Sequence, residues 1–127
     1  MTFAALTIRE ARERLRRRQI SSVELTQAFL ARIGALNPRL NAYLTITDDE
    51  ALEMARQADA RIQRGEDTPL LGVPIAIKDV LSTRGVRTTA GSRILANYVP
   101  TWDATVVARL RALGAVFLGK LNCDEFA

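Results

Sequence analysis

The chain has 127 residues, 48% hydrophobic and 25% charged, which suits one modest globular domain with a single core. Its 18 Lys and Arg against 14 Asp and Glu leave a net charge of +4, which permits an acidic or nucleic-acid partner without establishing one. It has no histidine and one cysteine, Cys123, which excludes Ser-His-Asp and Cys-His machinery, histidine-ligated zinc and an internal disulfide, and leaves Lys, Asp, Glu or Tyr as general bases.

Met1 to Leu6 lacks the basic and apolar segments of a secretory signal, and no apolar run approaches the roughly 18 residues of a membrane span. A reducing, cytoplasmic setting is expected. Thr7 and Glu10 have capping-box spacing and open a first helix, with Ile8, Ala11 and Leu15 as its apolar stripe. Arg9, Arg12, Arg14, Arg16, Arg17 and Arg18 cover the rest. One reading is a basic RNA-binding or assembly face. No aromatic residue interleaves for base stacking, so a solvated face with Glu10 and Glu13 as local partners is the plainer reading.

Ser21 and Glu24 form a second capping box, with Ile20 and Leu25 in the hydrophobic-staple positions. Leu25, Phe29, Ile33 and Leu36 recur at helical spacing, and Asn37-Pro38 is expected to end the helix. Leu40 to Thr47 alternates, placing Leu40, Ala42, Leu44 and Ile46 on the inner face of a half-buried strand. Thr47 and Glu50 offer a third capping box. The helix that follows has Ala51, Ala55, Ala58 and Ile62 inward and Gly65 as its C′ residue.

Leu71-Gly72-Val73-Pro74-Ile75-Ala76-Ile77-Lys78-Asp79 is the stretch around which the rest is organised. Val73 to Ile77 reads as a strand buried on both faces, with Pro74 near its start or at an edge. Lys78 stands where the strand leaves the core, the place where open α/β sheets gather their sites. Partial desolvation there would favour the neutral amine, a general base. Taken alone, the stretch is better explained by a lysine that snorkels into water.

Asp79 to Trp102 is a long connection rich in small polar residues, Ser82, Thr83, Thr88, Thr89, Gly91 and Ser92. Such a segment either lines a polar ligand or is an irregular loop with a short helix near Ser92 to Ala96. Asp103 is expected to cap a last helix with Val106, Val107 and Leu110 inward, closed by Gly114. Ala115 to Leu118 is a second apolar strand, so Val73 to Leu118 forms a βαβ unit with a parallel pair. Gly114 to Leu121 imitates a phosphate-binding loop but has Leu121 where a hydroxyl must reach Mg²⁺. Cys123 reads as a small buried hydrophobe, and Asp124 and Glu125 as charges at the start of a further helix.

The Leu71–Asp79 run resembles the opening of the amidase signature family. Gly85-Val86-Arg87-Thr88-Thr89, Gly91-Ser92, Asp103 to Leu110 and Gly114 to Asn122 extend the resemblance. The closing Asp124-Glu125-Phe126-Ala127, the Ser21–Leu25 helix start and Asn41-Ala42-Tyr43 are most similar to the A subunits of glutamine-dependent tRNA amidotransferases. The resemblance implies an α/β/α sandwich around a mixed sheet. Residues 1–127 would be one incomplete domain, helical over about 7–65 and with the signature core from about 70 onward. It implies a Ser–Ser–Lys triad in which Lys78 is the base. The nucleophilic and bridging serines would lie past residue 127, so this stretch alone is expected to be inactive, and Ser21, Ser22, Ser82 and Ser92 match no nucleophile motif. It implies hydrolysis of glutamine to supply ammonia, partner subunits B and C, and misacylated Glu-tRNA(Gln) as acceptor. ATP and Mg would be used by a partner, with no cofactor or metal in this chain. A free-standing amidase of the same superfamily is the alternative.

Overall fold

The structure is a computed structural model and describes residues 3–127. Four α-helices and three strands are described: α1 (Ile8–Arg16), α2 (Ser22–Leu40), β1 (Tyr43–Ile46), α3 (Asp48–Gln63), β2 (Pro74–Lys78), α4 (Thr105–Ala112) and β3 (Val116–Leu121). Short 3₁₀ turns occupy Phe3–Ala5 and Arg93–Leu95. The strands form one mixed sheet in the order β1-β3-β2, with β1 antiparallel and β2 parallel to β3. The parallel pair and its α4 crossover are the βαβ unit expected from the sequence. No helix among the described residues is long and apolar enough to cross a membrane.

Alternation along β3 sorts the core into two sides of the sheet. Val116 and Leu118 pack with Ala51 and Ala55 of α3, joined by Val23, Phe29, Leu30 and Ile33 of α2. Phe117 turns the other way and meets Ile77, Val107 of α4 and Ala115. A third cluster ties α1 to the start of β2 through Ala11, Leu15, Ile20, Leu25 and Val73. The alanine face of α3 is fully buried, which lets the helix lie close against β3.

Both early capping boxes form. Glu10 N–H donates to Thr7 Oγ1 at 3.2 Å while Thr7 N–H donates to Glu10 Oε2 at 2.8 Å. Glu24 N–H and Ser21 Oγ are 3.0 Å apart, with Ser21 N–H to Glu24 Oε2 at 2.8 Å. The free N–H groups of Ser22 and Val23 are taken by the Asp59 carboxylate at 2.7 and 3.2 Å, which binds the start of α2 to α3. On α1, Arg12 and Arg16 close on Asp67 at 3.0 and 3.2 Å, and Arg17 on Glu13 at 2.6 Å. Much of the arginine row therefore works within the fold.

The fold departs from the sequence expectations where tertiary contacts compete with local rules. Helix α2 runs through Pro38 to Leu40, because only one intrahelical bond is forfeited and the end is held by other means. Asn41 adopts a left-handed φ of 49° and donates to Asn37 O at 2.8 Å. The Asn37 amide bonds both backbone groups of Tyr43, at 2.8 and 3.1 Å. Strand β1 is shorter than expected and its inner face is reversed: Tyr43 joins the core, whereas Ile46 is exposed. A register irregularity between Tyr43 and Thr45 breaks the simple alternation. Ile8, Leu36 and Val106 are exposed rather than inward. Thr47 makes no capping bond, because its hydroxyl donates to Phe117 O of β3 at 3.0 Å. Asp103 does not cap α4, because Arg84 N–H and Arg111 hold its carboxylate; Ala104 is the cap residue. Asp124 to Ala127 form a turn rather than a helix, and Cys123 is half-buried. Strand β2 is an edge strand in this sheet, so Pro74 to Ala76 are only half-buried.

The capping bonds from Thr7 and Ser21 pull the Glu10 and Glu24 carboxyls below their ordinary value of 4.5. Burial raises the Asp103 carboxyl, but hydrogen bonds from Arg111 and Arg84 outweigh it and the net direction is down from 3.8. The stability these groups contribute is therefore complete above the ordinary carboxylate range and is lost as pH falls below it. Thermal unfolding across an acid series should show Tm falling below about pH 4.5, and Glu24→Gln should flatten that fall.

Candidate active site

Lys78 ends β2 opposite Leu121 of β3, and its side chain is exposed. The next residue is the reverse. Asp79 is fully buried, and its backbone groups and one carboxylate oxygen are hydrogen-bonded, while the other oxygen has only an ion-pair partner. Its N–H donates to Leu121 O at 3.0 Å, and its C=O accepts from Ala90 N–H at 2.8 Å. Oδ2 accepts from Thr89 N–H at 3.0 Å and from Thr89 Oγ1 at 2.5 Å. Oδ1 lies 3.2 Å from the ammonium of Lys120.

Lys120 was not singled out from the sequence, and it is the largest fully buried side chain of the chain's described residues. Its Nζ donates to Leu81 O at 3.0 Å and to Thr88 Oγ1 at 2.7 Å, and its contact with Asp79 is an ion pair rather than a third hydrogen bond. Burial pulls this ammonium below its ordinary value of 10.5, opposed by the Asp79 charge. A bulge aims the side chain. Ile75 pairs with Phe117 and Ile77 with Lys120, so β3 spends three residues where β2 spends two. The extra residue turns Lys120 to the same side as Phe117 and Ile77, under the 79–102 connection. Gly119 makes this possible: at φ 149° it lies so close to β1 that a Cβ would overlap the Thr45 carbonyl. A glycine followed by a lysine inside an apolar run was the available signal for a bulge and a buried charge.

The 79–102 connection is built over this pair. Thr88, Thr89 and Ser92 are nearly inaccessible; the hydroxyls of Thr88 and Thr89 meet Lys120 and Asp79, and that of Ser92 donates to Glu125 at the surface. Phe126 N–H donates to Ala90 O at 2.8 Å, tying the last residues to the same segment. Ser21 caps α2 and the buried Ser22 donates to Gly72 O at 2.9 Å, which leaves both serines with structural roles. The β3 conformation of Val116 to Leu121 also removes the phosphate-loop reading.

The amidase family model matches residues 24–127. The chain belongs to the amidase signature family. Helix α1 precedes the matched region, whereas the Lys78, Asp79 and Lys120 cluster lies inside it. The chain is 60% identical over 122 residues to the A subunit of glutamyl-tRNA(Gln) amidotransferase from Roseiflexus sp. (strain RS-1), covering 96% of this chain and 25% of that protein. The same subunit of Geobacter sulfurreducens is 57% identical over 127 residues, or 100% of this chain and 26% of the relative. The chain thus spans about a quarter of the length of the curated relatives it matches. Among solved structures, native peptide amidase from Stenotrophomonas maltophilia superposes with a TM-score of 0.91 at 38% identity, over 98% of this chain and 26% of that one. An amidase family protein from Bacillus anthracis str. Ames gives a TM-score of 0.90 at 32% identity, over 98% and 25%. The α/β fold with its mixed sheet is therefore that of amidase signature enzymes.

Removing one partner of a buried ion pair strands the other charge, whereas replacing both by apolar residues is often neutral. Lys120→Met should cost about 3–5 kcal/mol in urea unfolding, and Lys120→Met combined with Asp79→Leu should recover most of that loss.

Proposed function

We propose that this chain is part of the A subunit of a glutamine-dependent Glu-tRNA(Gln) amidotransferase and that Lys78 is its general base. The observation that carries this reading is 57% identity to such a subunit over all 127 residues, with a lysine at the carboxyl end of the first signature strand. A lysine amine at the carboxyl end of this strand is a group suited to drawing a proton from a hydroxyl. Acting through a bridging serine, Lys78 would deprotonate the nucleophilic serine, which attacks the side-chain amide carbon of glutamine. The tetrahedral intermediate collapses as the amide nitrogen takes a proton and leaves as ammonia. Water, deprotonated in turn, cleaves the glutamyl ester to glutamate and frees the serine. Both serines belong to sequence outside residues 1–127, so these residues alone would be inactive.

Ammonia would pass to partner subunits B and C, where ATP and Mg activate misacylated Glu-tRNA(Gln). This chain needs neither cofactor nor metal for its half of the reaction, and its setting is cytoplasmic. The likeness to peptide amidase supports a second reading, a free-standing amidase acting on another amide. Co-purification with two further subunits and amidation of Glu-tRNA(Gln) favour the first reading.

In the full-length protein, Lys78→Ala should lower ammonia release from glutamine by about 10²–10⁴-fold while thermal unfolding is unchanged. Near-normal turnover in the folded variant would remove Lys78 from the mechanism.

A further inference from the structure

Lys120 touches both ends of the turn that follows Lys78. Its ammonium contacts the Asp79 carboxylate at 3.2 Å and the Leu81 carbonyl at 3.0 Å, and reaches across to Thr88 at 2.7 Å. Leu81 N–H donates back to Lys78 O at 3.0 Å, closing the turn on Lys78 itself. The peptide between Lys78 and Asp79 is thereby held by the strand ladder, by the turn and by a buried charge. A buried ion pair is weak evidence for stability, since apolar residues of similar volume often serve as well. What it supplies that apolar packing does not is a fixed direction for each hydrogen bond.

We propose that Lys120, aimed by the bulge at Gly119, is a positioning residue that holds the Lys78–Leu81 turn through Asp79 and Leu81 and so fixes where the Lys78 amine is presented. The inference rests on the reading of Lys78 as the base. Lys120 is buried under the 79–102 connection, out of reach of solvent. It acts entirely through the backbone that carries Lys78, where a displacement near 1 Å can cost about 10²-fold in rate.

The test uses the full-length amidotransferase with its partner subunits, measuring ammonia release from glutamine together with thermal unfolding. In Lys120→Met, kcat should fall by about 10–100-fold with KM for glutamine nearly unchanged. Combining Lys120→Met with Asp79→Leu should restore thermal stability without restoring kcat, because the ties to Leu81, Thr88 and Thr89 stay broken. Thr89→Val removes one hydroxyl from Asp79 and serves where the larger changes prevent folding; it should lower kcat several-fold, again with KM held. Wild-type kcat in a stable double variant, or in Thr89→Val where that is the variant that folds, would overturn the inference. So would losses that simply track stability. If Lys78→Ala retains turnover, the assignment of the base has failed. If Lys78→Ala is inactive and the folded Lys120 and Thr89 variants turn over normally, only the positioning role has failed.

Discussion

The buried ion pair between Asp79 and Lys120 is the constraint on which the upper half of this structure depends. Desolvating two charges is costly, and the cost is offset only when each retains its partners. Here the partners come from four places: the end of β2, the bulge of β3, the turn at Leu81 and the return segment at Thr88 and Thr89. A connection long enough to wander is thereby folded down on the sheet. The exposed Lys78 stands at the edge of this buried network rather than within it.

The opposite side of the sheet is governed by apolar packing. Alanines on α3 allow close approach to Val116 and Leu118, and α2 completes the layer. Polar contacts there act at the ends of elements. Asp59 receives the free N–H groups of α2, Asn37 joins the end of α2 to β1, and Asp67 receives two arginines of α1. In this arrangement the arginine row of α1 reads as a surface tied to its neighbours. Arg111 plays a similar part beside the site, pairing with Asp103 and Glu50 and stacking over Phe117 at 4.9 Å.

Local rules succeeded where no long-range partner competed. The boxes at Thr7 and Ser21, the alanine face of α3 and the left-handed glycines 65 and 114 all behave as their spacing indicates. They failed where a tertiary hydrogen bond offered a better outcome. Thr47 had a β3 carbonyl in reach and left its own helix uncapped; Asp103 had Arg111 and did the same. β1 reversed its inner face because a register irregularity, invisible in an alternating pattern, shifted the parity of Tyr43.

By itself the sequence determined the secondary elements, the parallel βαβ order, the family and the location of Lys78 at a strand's carboxyl end. These follow from short-range spacing and from motifs that are contiguous in the chain. The tertiary structure decided that Lys120 is buried, that Asp79 is its partner, and that the hydroxyls of Thr88 and Thr89 in the long connection face this pair. Residues 79 and 120 lie far apart in sequence. Only the parallel pairing of β2 with β3, and the one extra residue at the Gly119 bulge, bring their charges together on the same side of the sheet.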